Sequence, residues 1–201
     1  MKKILPIFSY LFHPIFIPVY GTVYYFSLLR DFFVKQEIYL YSIQVIILTL
    51  LIPLALFYLL QTIGKIDSFM VGNVSQRKIP LAINVFLLLI LVQKGISPDR
   101  LPGLFHFFVA GLMSNLLALL FVFFKTKVSL HMAGIAAITC FVIGLSIYAN
   151  IPMIYSIAFM FVLNGFVASS RLYMKAHTVQ ELFLGMICGA LPQIFIWKFW
   201  L

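Results

Sequence analysis

An arginine, a histidine and a glutamate stand close together late in the chain, in the stretch SSRLYMKAHTVQELFLG (residues 169–185). If a helix begins just after His177, then His177 and Glu181 are four residues apart and lie on one face. A carboxylate there can accept a hydrogen bond from one ring nitrogen, which leaves the lone pair of the other nitrogen free to attack. Arg171 offers a planar fork of donors for phosphate oxygens, and the Ser170 hydroxyl adds another. These residue types predict a phosphate site with a histidine nucleophile.

A second histidine, His131, opens an apolar segment in the stretch KTKVSLHMAG. On the same membrane face it could protonate the leaving oxygen while the first histidine forms a bond to phosphorus. Water would then attack the phosphohistidine, with the second histidine acting as the base. Two histidines suffice for metal-free hydrolysis of a phosphoester.

Three stretches resemble the signatures of the type 2 phosphatidic acid phosphatase superfamily, the lipid phosphatases related to vanadium haloperoxidases. Ser170 to Glu181 reads S-R-x5-H-x3-E and is similar to the third signature, S-R-x5-H-x3-D. VSLH, from Val128 to His131, resembles the second, P-S-G-H. RKIP, which starts at Arg77, resembles part of the first, K-x6-R-P. The resemblance covers mainly residues 125 to 190.

The resemblance implies a core of six helices, no metal or organic cofactor, and lipid phosphates or pyrophosphates as substrates. Phosphatidic acid, phosphatidylglycerol phosphate and polyprenyl pyrophosphates are candidates. His177 would be the nucleophile, Glu181 its orienting partner and His131 the general acid. The residues that would bind the substrate phosphate are Arg171, Ser129, Ser170, Arg77 and Lys78.

The chain also departs from these signatures. Glu181 replaces aspartate and can make the same hydrogen bond, while Val128 and Leu130 replace the proline and glycine of the second signature. Met70 stands where the first signature has lysine. The missing charge could come from any of three lysines: Lys65, Lys78 or Lys127. Two alternatives to a phosphatase stay open: a catalytically altered relative that binds or moves anionic lipids, and a small transporter.

The composition bounds the fold class that must position these residues. Of the 201 residues, 64% are hydrophobic and 9% are charged, whereas a globular domain carries about 25% charged residues. We therefore expect an all-α, polytopic transmembrane bundle of six to seven spans, forming one domain over residues 1–201. The apolar runs are continuous, which disfavours a transmembrane barrel. The seven predicted segments are residues 4–29, 38–60, 79–96, 103–124, 130–148, 152–169 and 178–199.

Two features of the first segment leave the number of spans open. A basic start followed by an apolar run resembles a signal peptide, but no alanine precedes Ala55, so we expect the segment to be retained. The stretch HPIFIP, from His13 to Pro18, could make it re-entrant, which would reduce the count to six.

Counting crossings places the connections 61–78, 125–129 and 170–177 on one membrane face, where they form a basic surface suited to an anionic headgroup. The net charge of +9 is scattered between spans, so membrane lipids are favoured as partners over nucleic acid.

The cysteines suggest neither a disulfide nor a metal site. His13 and His106 lack catalytic company and are interpreted as structural. Gly185 and Gly189 permit close helix packing within the bundle. A bacterial inner membrane is the expected location.

Overall fold

The computed structural model describes residues 4–68 and 70–201, and within these ranges all of the regular structure is helical. The α-helices form an antiparallel membrane bundle joined by short connections, as the apolar composition predicts. In chain order they are α1 (Leu5–Leu11), α2 (Ile17–Leu29), α3 (Lys35–Ile46), α4 (Ile52–Thr62), α5 (Lys78–Ile90), α6 (Pro102–Phe123), α7 (Leu130–Tyr148), α8 (Ile154–Tyr173) and α9 (Val179–Trp197).

Six helical stretches are long and apolar enough to cross a membrane. They are Lys35–Thr62, Ser75–Gly95, Pro102–Phe123, Leu130–Tyr148, Ile154–Tyr173 and Val179–Trp197. The first joins α3 and α4 through a π-helical turn at Ile47–Leu51. This turn lies just before Pro53, which has no backbone N–H and whose ring would clash with the preceding turn of a regular α-helix. The protein is therefore a polytopic helical membrane protein, as predicted.

Two of these helices extend further than the apolar pattern predicts. One predicted segment ends at residue 169, but α8 continues to Tyr173. Another begins at residue 79, but the helical stretch that contains α5 begins at Ser75. As a result, Ser170 and Arg171 lie in the last turn of α8 instead of in a connection. Their side chains face the bundle interior, so a charged residue here does not mark the end of the helix.

The first predicted segment is two helices, α1 and the stretch Pro14–Phe32, bent by 43°. The bend falls at His13, which contacts His131 at the start of α7. At its other end, Phe33 stacks with Arg100 in the connection after α5. The stretch therefore runs from one end of the bundle to the other, and the chain makes seven passes if this bent pair counts as one span and six if it does not. HPIFIP marks the junction of α1 and α2.

Helix α7 is the centre of the bundle, and 72% of the residues in its most apolar 18-residue stretch are buried. A helix that is hydrophobic on all sides is stable only when it is surrounded, and α7 is rich in alanine and glycine. Helix α9 packs closely along it, because a Cβ at Gly185 would collide with the Ser129 carbonyl and one at Gly189 with the Ala133 carbonyl. The two glycines thus serve packing within the bundle, as predicted.

Candidate active site

The connections that were predicted to share one membrane face do meet at one end of the bundle. Lys127 Nζ donates to the carbonyl of Ala176 at 2.7 Å, which links the connection before α7 to the one before α9. Arg77 Nη1 donates to the carbonyl of Val128 at 2.7 Å, which links the start of α5 to the same place. The backbone N–H of Ser129 donates to the carbonyl of Glu181 at 3.1 Å. The three signature-like stretches are therefore in direct contact.

His177 and Glu181 form the predicted pair. The imidazole Nδ1 donates to Glu181 Oε2 at 2.7 Å, so Nε2 carries the lone pair in the neutral ring. The same carboxylate oxygen accepts from the backbone N–H of Thr178, and the Thr178 hydroxyl accepts from the N–H of Glu181. This capping box starts α9. Glu181 thus begins the helix and orients the imidazole at the same time.

The pKa of His177 is lowered to about 4, and burial of the ring is the largest cause. The hydrogen bond to Glu181 acts in the opposite sense, and the positive charges of Arg171, Arg77 and Lys127 contribute to the lowering. The side chain is only 2% exposed, which agrees with desolvation as the largest cause. The imidazole is therefore neutral at pH 7, which a nucleophile requires.

Of the three lysines that could supply the missing charge, Lys127 is the one near the His177–Glu181 pair. Its Nζ lies 4.0 Å from Glu181 Oε2. Lys78 is exposed and places its Nζ over the ring of Phe123, 5.3 Å from the centroid. Lys65 is exposed in the connection after α4. The structure thus separates Lys78 from the other predicted phosphate ligands and brings Lys127 beside them.

Arg171 differs from the other cations of the site because it is buried and has an unused hydrogen-bond donor. The residue is 3% exposed, and its Nε is a buried donor without a hydrogen-bond partner among the described residues. Its Nη1 faces the sulfur of Met70 at 3.8 Å, which is a weak acceptor. Burying an unpaired guanidinium is costly, so the arrangement favours an anionic ligand here. Met70 lies against Arg171 in the position that the first signature gives to lysine.

Arg77 has a different environment, because backbone carbonyls already hold its guanidinium. Its Nε donates to the carbonyl of Val71 at 2.9 Å, in addition to the bond to Val128. Val71 has φ 33°, a conformation that is unusual for a β-branched residue. Arg77 therefore braces the connection between α4 and α5 against the start of α7, and it also lines the cavity described below.

His131 is tied to the N-terminal helix. Its Nε2 donates to the carbonyl of Ser9 at 3.0 Å, so the neutral ring carries its proton on Nε2 and its lone pair on Nδ1. The ring of His13 meets it edge-on, with centroids 5.1 Å apart. His13 Nδ1 accepts from the N–H of Ile15. Any proton transfer by His131 while it keeps the Ser9 bond must use Nδ1.

The two predicted serine ligands are engaged within the protein. Ser129 caps α7, its hydroxyl accepting from the N–H of Met132 at 3.4 Å. The hydroxyl of Ser170 lies 2.6 Å from that of Ser9. Both serines are fully buried. Ser9 therefore contacts both halves of the site, through its carbonyl to His131 and through its hydroxyl to Ser170.

One cavity of about 170 Å³ brings together four of the eight predicted site residues: His177, His131, Arg171 and Arg77. Glu181 supports it from behind His177. Ser129, Ser170 and Lys78 do not line it. Among residues 4–68 and 70–201, no three His, Cys, Asp or Glu side chains lie close enough together to hold a metal ion.

Sequence reasoning gave no role in this site to His13 or Ser9, and it named Met70 only as the residue in the place of a lysine. His13 lines the cavity although it was interpreted as structural, and the signal for it was its position directly before Pro14, where the first segment breaks. Ser9 carries no signal, because a single serine in an apolar run has many uses. The other histidine interpreted as structural, His106, donates from Nδ1 to the Pro102 carbonyl in the first turn of α6, and it does not line the cavity.

The arrangement offers a neutral imidazole with a free Nε2, a buried guanidinium with an unused donor and a second imidazole within one cavity. These groups can bind a phosphate, attack its phosphorus and exchange a proton with its leaving oxygen.

The chain was compared with known proteins, and no family model, curated protein or solved structure matches it.

Proposed function

We propose that this protein is an integral membrane phosphatase that hydrolyses a lipid phosphate or pyrophosphate through a phosphohistidine intermediate, in a bacterial inner membrane. The observation that carries the proposal is the unpaired Nε of buried Arg171 in the cavity that also holds His177. A buried cation with an unused donor suits an anion, and a histidine held by a carboxylate suits attack upon it. The resemblance of Ser170–Glu181 to the phosphatase signature agrees with this reading.

In the first step, Nε2 of His177 attacks phosphorus, and the bond from phosphorus to the lipid oxygen breaks. The imidazolium that forms keeps its proton on Nδ1 and donates it in a hydrogen bond to the Glu181 carboxylate, which stabilises the positive charge. His131, protonated on Nδ1, donates that proton to the departing oxygen. The products of this step are the lipid alcohol, or the lipid monophosphate from a pyrophosphate, and phosphohistidine.

In the second step, water attacks phosphorus, and the bond from phosphorus to His177 Nε2 breaks. Nδ1 of His131, now unprotonated, accepts a proton from the water and is ready for the next cycle. Arg171 stabilises the negative charge on the phosphoryl oxygens in both transition states. The released product is inorganic phosphate.

A second candidate is a relative that binds anionic lipid without turnover. The observation that favours it is the engagement of the Ser129 and Ser170 hydroxyls within the protein, together with Met70 in the place of a lysine. Such a protein would hold lipid phosphate on Arg171 and release no phosphate.

The test is phosphate release by the purified protein in detergent, with a chelator present, from a panel of lipid phosphates and pyrophosphates. We expect chelator-resistant turnover that falls at least about 10³-fold in His177→Ala, since the nucleophile is lost. His106→Ala is the matched control, because His106 lies outside the cavity, and it should keep turnover within a few-fold of wild type. Equal activity in wild type and His177→Ala would contradict the proposal. Lipid binding without turnover would favour the second candidate.

A further inference from the structure

The cavity that contains Arg171 and His177 continues into the membrane-spanning part of the bundle, where its walls are mostly apolar. Leu81, Leu87 and Phe108 are among the lining side chains. Two carboxamides interrupt this wall: Asn84 on α5 and Asn115 on α6. Polar side chains at membrane depth are expensive unless something pairs with them. Their presence in the wall of this cavity therefore requires an explanation.

Asn84 lies on the same face of α5 as Arg77. The residues that face inward from this helix recur at helical spacing and include Arg77, Leu81, Asn84 and Leu88. Seven residues separate Arg77 from Asn84, which is two turns, or about 10 Å along the axis. The Cα–Cβ bond of a helical residue tilts toward the N-terminus, so the Asn84 side chain leans toward the phosphate-binding end.

Asn115 lies in the same layer of the bundle. The ring of Phe123, at the end of α6, faces Lys78 at the start of α5, so these two helix ends are level. Asn115 is eight residues before Phe123, or about 12 Å along the axis, which is close to the depth of Asn84. Helices α5 and α6 pack against each other. The two carboxamides therefore line one short stretch of the cavity.

Both carboxamides have hydrogen-bonding capacity left. Asn115 uses Nδ2 to donate to the Gly111 carbonyl at 2.9 Å, which leaves its oxygen and a second N–H. Within the described part of the chain, the Asn84 side chain makes no hydrogen bond. Asn164 provides a contrast on α8, because its Nδ2 donates to Thr139 Oγ1 on α7 at 2.7 Å. Asn164 joins two helices, whereas Asn84 and Asn115 face the cavity.

We propose that Asn84 and Asn115 form a second subsite that donates hydrogen bonds to the ester carbonyls of a glycerolipid whose phosphate lies on Arg171. The inference rests on the proposed function and narrows its substrate to ester-linked glycerolipid phosphates. In such a lipid the ester groups follow the phosphate within a few bonds, on the side of the acyl chains. An isoprenoid pyrophosphate carries only hydrocarbon beyond its phosphates and would leave both carboxamides unpaired at this depth.

The test compares two probes that differ only in these carbonyls: dioleoyl phosphatidic acid and its dialkyl ether analogue, with farnesyl pyrophosphate as a third substrate. For wild type we expect kcat/KM for the diester to exceed that for the diether by about tenfold, the effect of one or two hydrogen bonds. Asn84→Leu and Asn115→Leu should each reduce this ratio toward one, mainly by lowering kcat/KM for the diester. Asn164→Leu is the matched control and should keep the wild-type ratio.

The same lipids are used in a binding measurement by native mass spectrometry, so that the two proposals fail separately. Turnover with equal kcat/KM for diester and diether, an unchanged ratio in both variants, or a preference for farnesyl pyrophosphate would overturn the subsite and leave the phosphatase standing. No turnover, with diester binding that weakens in Asn84→Leu and not in Asn164→Leu, would overturn the phosphatase and support the subsite. Equal binding of both lipids without turnover would overturn both.

Discussion

The imidazole of His177 is the single group on which chemistry at this site most depends, because it must be neutral to attack phosphorus. Its burial lowers its pKa to about 4, compared with an ordinary value near 6.5. We expect the His177 signal in a histidine-selective NMR titration to change near pH 4. Glu181→Gln should move this midpoint to lower pH, because the carboxylate stabilises the protonated ring and its loss disfavours protonation.

A midpoint near 6.5, or an upward change in Glu181→Gln, would contradict the buried environment of His177. Folding stability offers an independent check. Between pH 6.5 and pH 4 the unfolded chain holds a proton on His177 that the folded chain lacks, so the free energy of unfolding decreases as pH falls through this range. The decrease should be smaller in His177→Asn, which carries no titrating group.

Residue-level prediction from sequence succeeded where the partners are close in the chain. His177 and Glu181 are four residues apart, so helical geometry alone predicts their hydrogen bond, and the structure has it. The contact of His131 with Ser9 joins residues 122 positions apart, and it depends on how α1 bends against α2. Local spacing carries no information about such a contact, which is why Ser9 and His13 were missed.

At the level of helices, the close approach of α9 to α7 holds the site together. Gly185 and Gly189 let the backbones touch, and a side chain at Gly189 would strike the Ala133 carbonyl. We therefore expect Gly189→Ala to destabilise the fold by about 1–3 kcal/mol, the usual effect of overpacking. The measurement is reversible unfolding of the detergent-solubilised protein by SDS titration.

Gly165→Ala is the matched control for this prediction. Gly165 lies inside α8, and a Cβ there would meet nothing within 4 Å. Since alanine is favoured over glycine within a helix by about 0.5–1 kcal/mol, this variant should be as stable as wild type or slightly more stable. Equal stability of Gly189→Ala and Gly165→Ala would show that α7 and α9 are less closely packed than the structure has them.

Helix existence followed from hydropathy, whereas helix ends did not. The predicted segment 130–148 coincides with α7, because this helix is apolar on all sides and polar residues precede it. The end of α8 was predicted four residues too early, since hydropathy falls at Ser170 and Arg171, which point inward to the site. Functional polar residues in a helix end thus shorten the apparent span.

For the whole molecule, basic residues do not decide which side of the membrane holds the site. Seven spans place nine lysines and arginines on the site face and five on the other, an excess that the positive-inside rule would assign to the cytoplasm. Lys2 and Lys3, two of the nine, lie outside the described residues. Arg77 and Lys127 are held at the site by hydrogen bonds to backbone carbonyls, and Arg171 is buried there. Without these three, six basic residues face five, and the bias largely disappears.

The arrangement of the connections is nevertheless definite, and it yields a prediction for single-cysteine labelling with a charged, membrane-impermeant maleimide. Cys140 and Cys188 are buried, so the native thiols should remain unlabelled. The exposed site-face positions are tested as Lys65→Cys, Lys125→Cys and Lys175→Cys, and those of the opposite face as Arg30→Cys, Asp99→Cys and Asn150→Cys. Because an odd number of passes separates the two sets, one set should label in intact cells and the other only after permeabilisation. If a site-face position labelled with the opposite set, the three connections could not lie on one membrane face. That result would contradict the contacts among them and the cavity that joins Arg171 to His177.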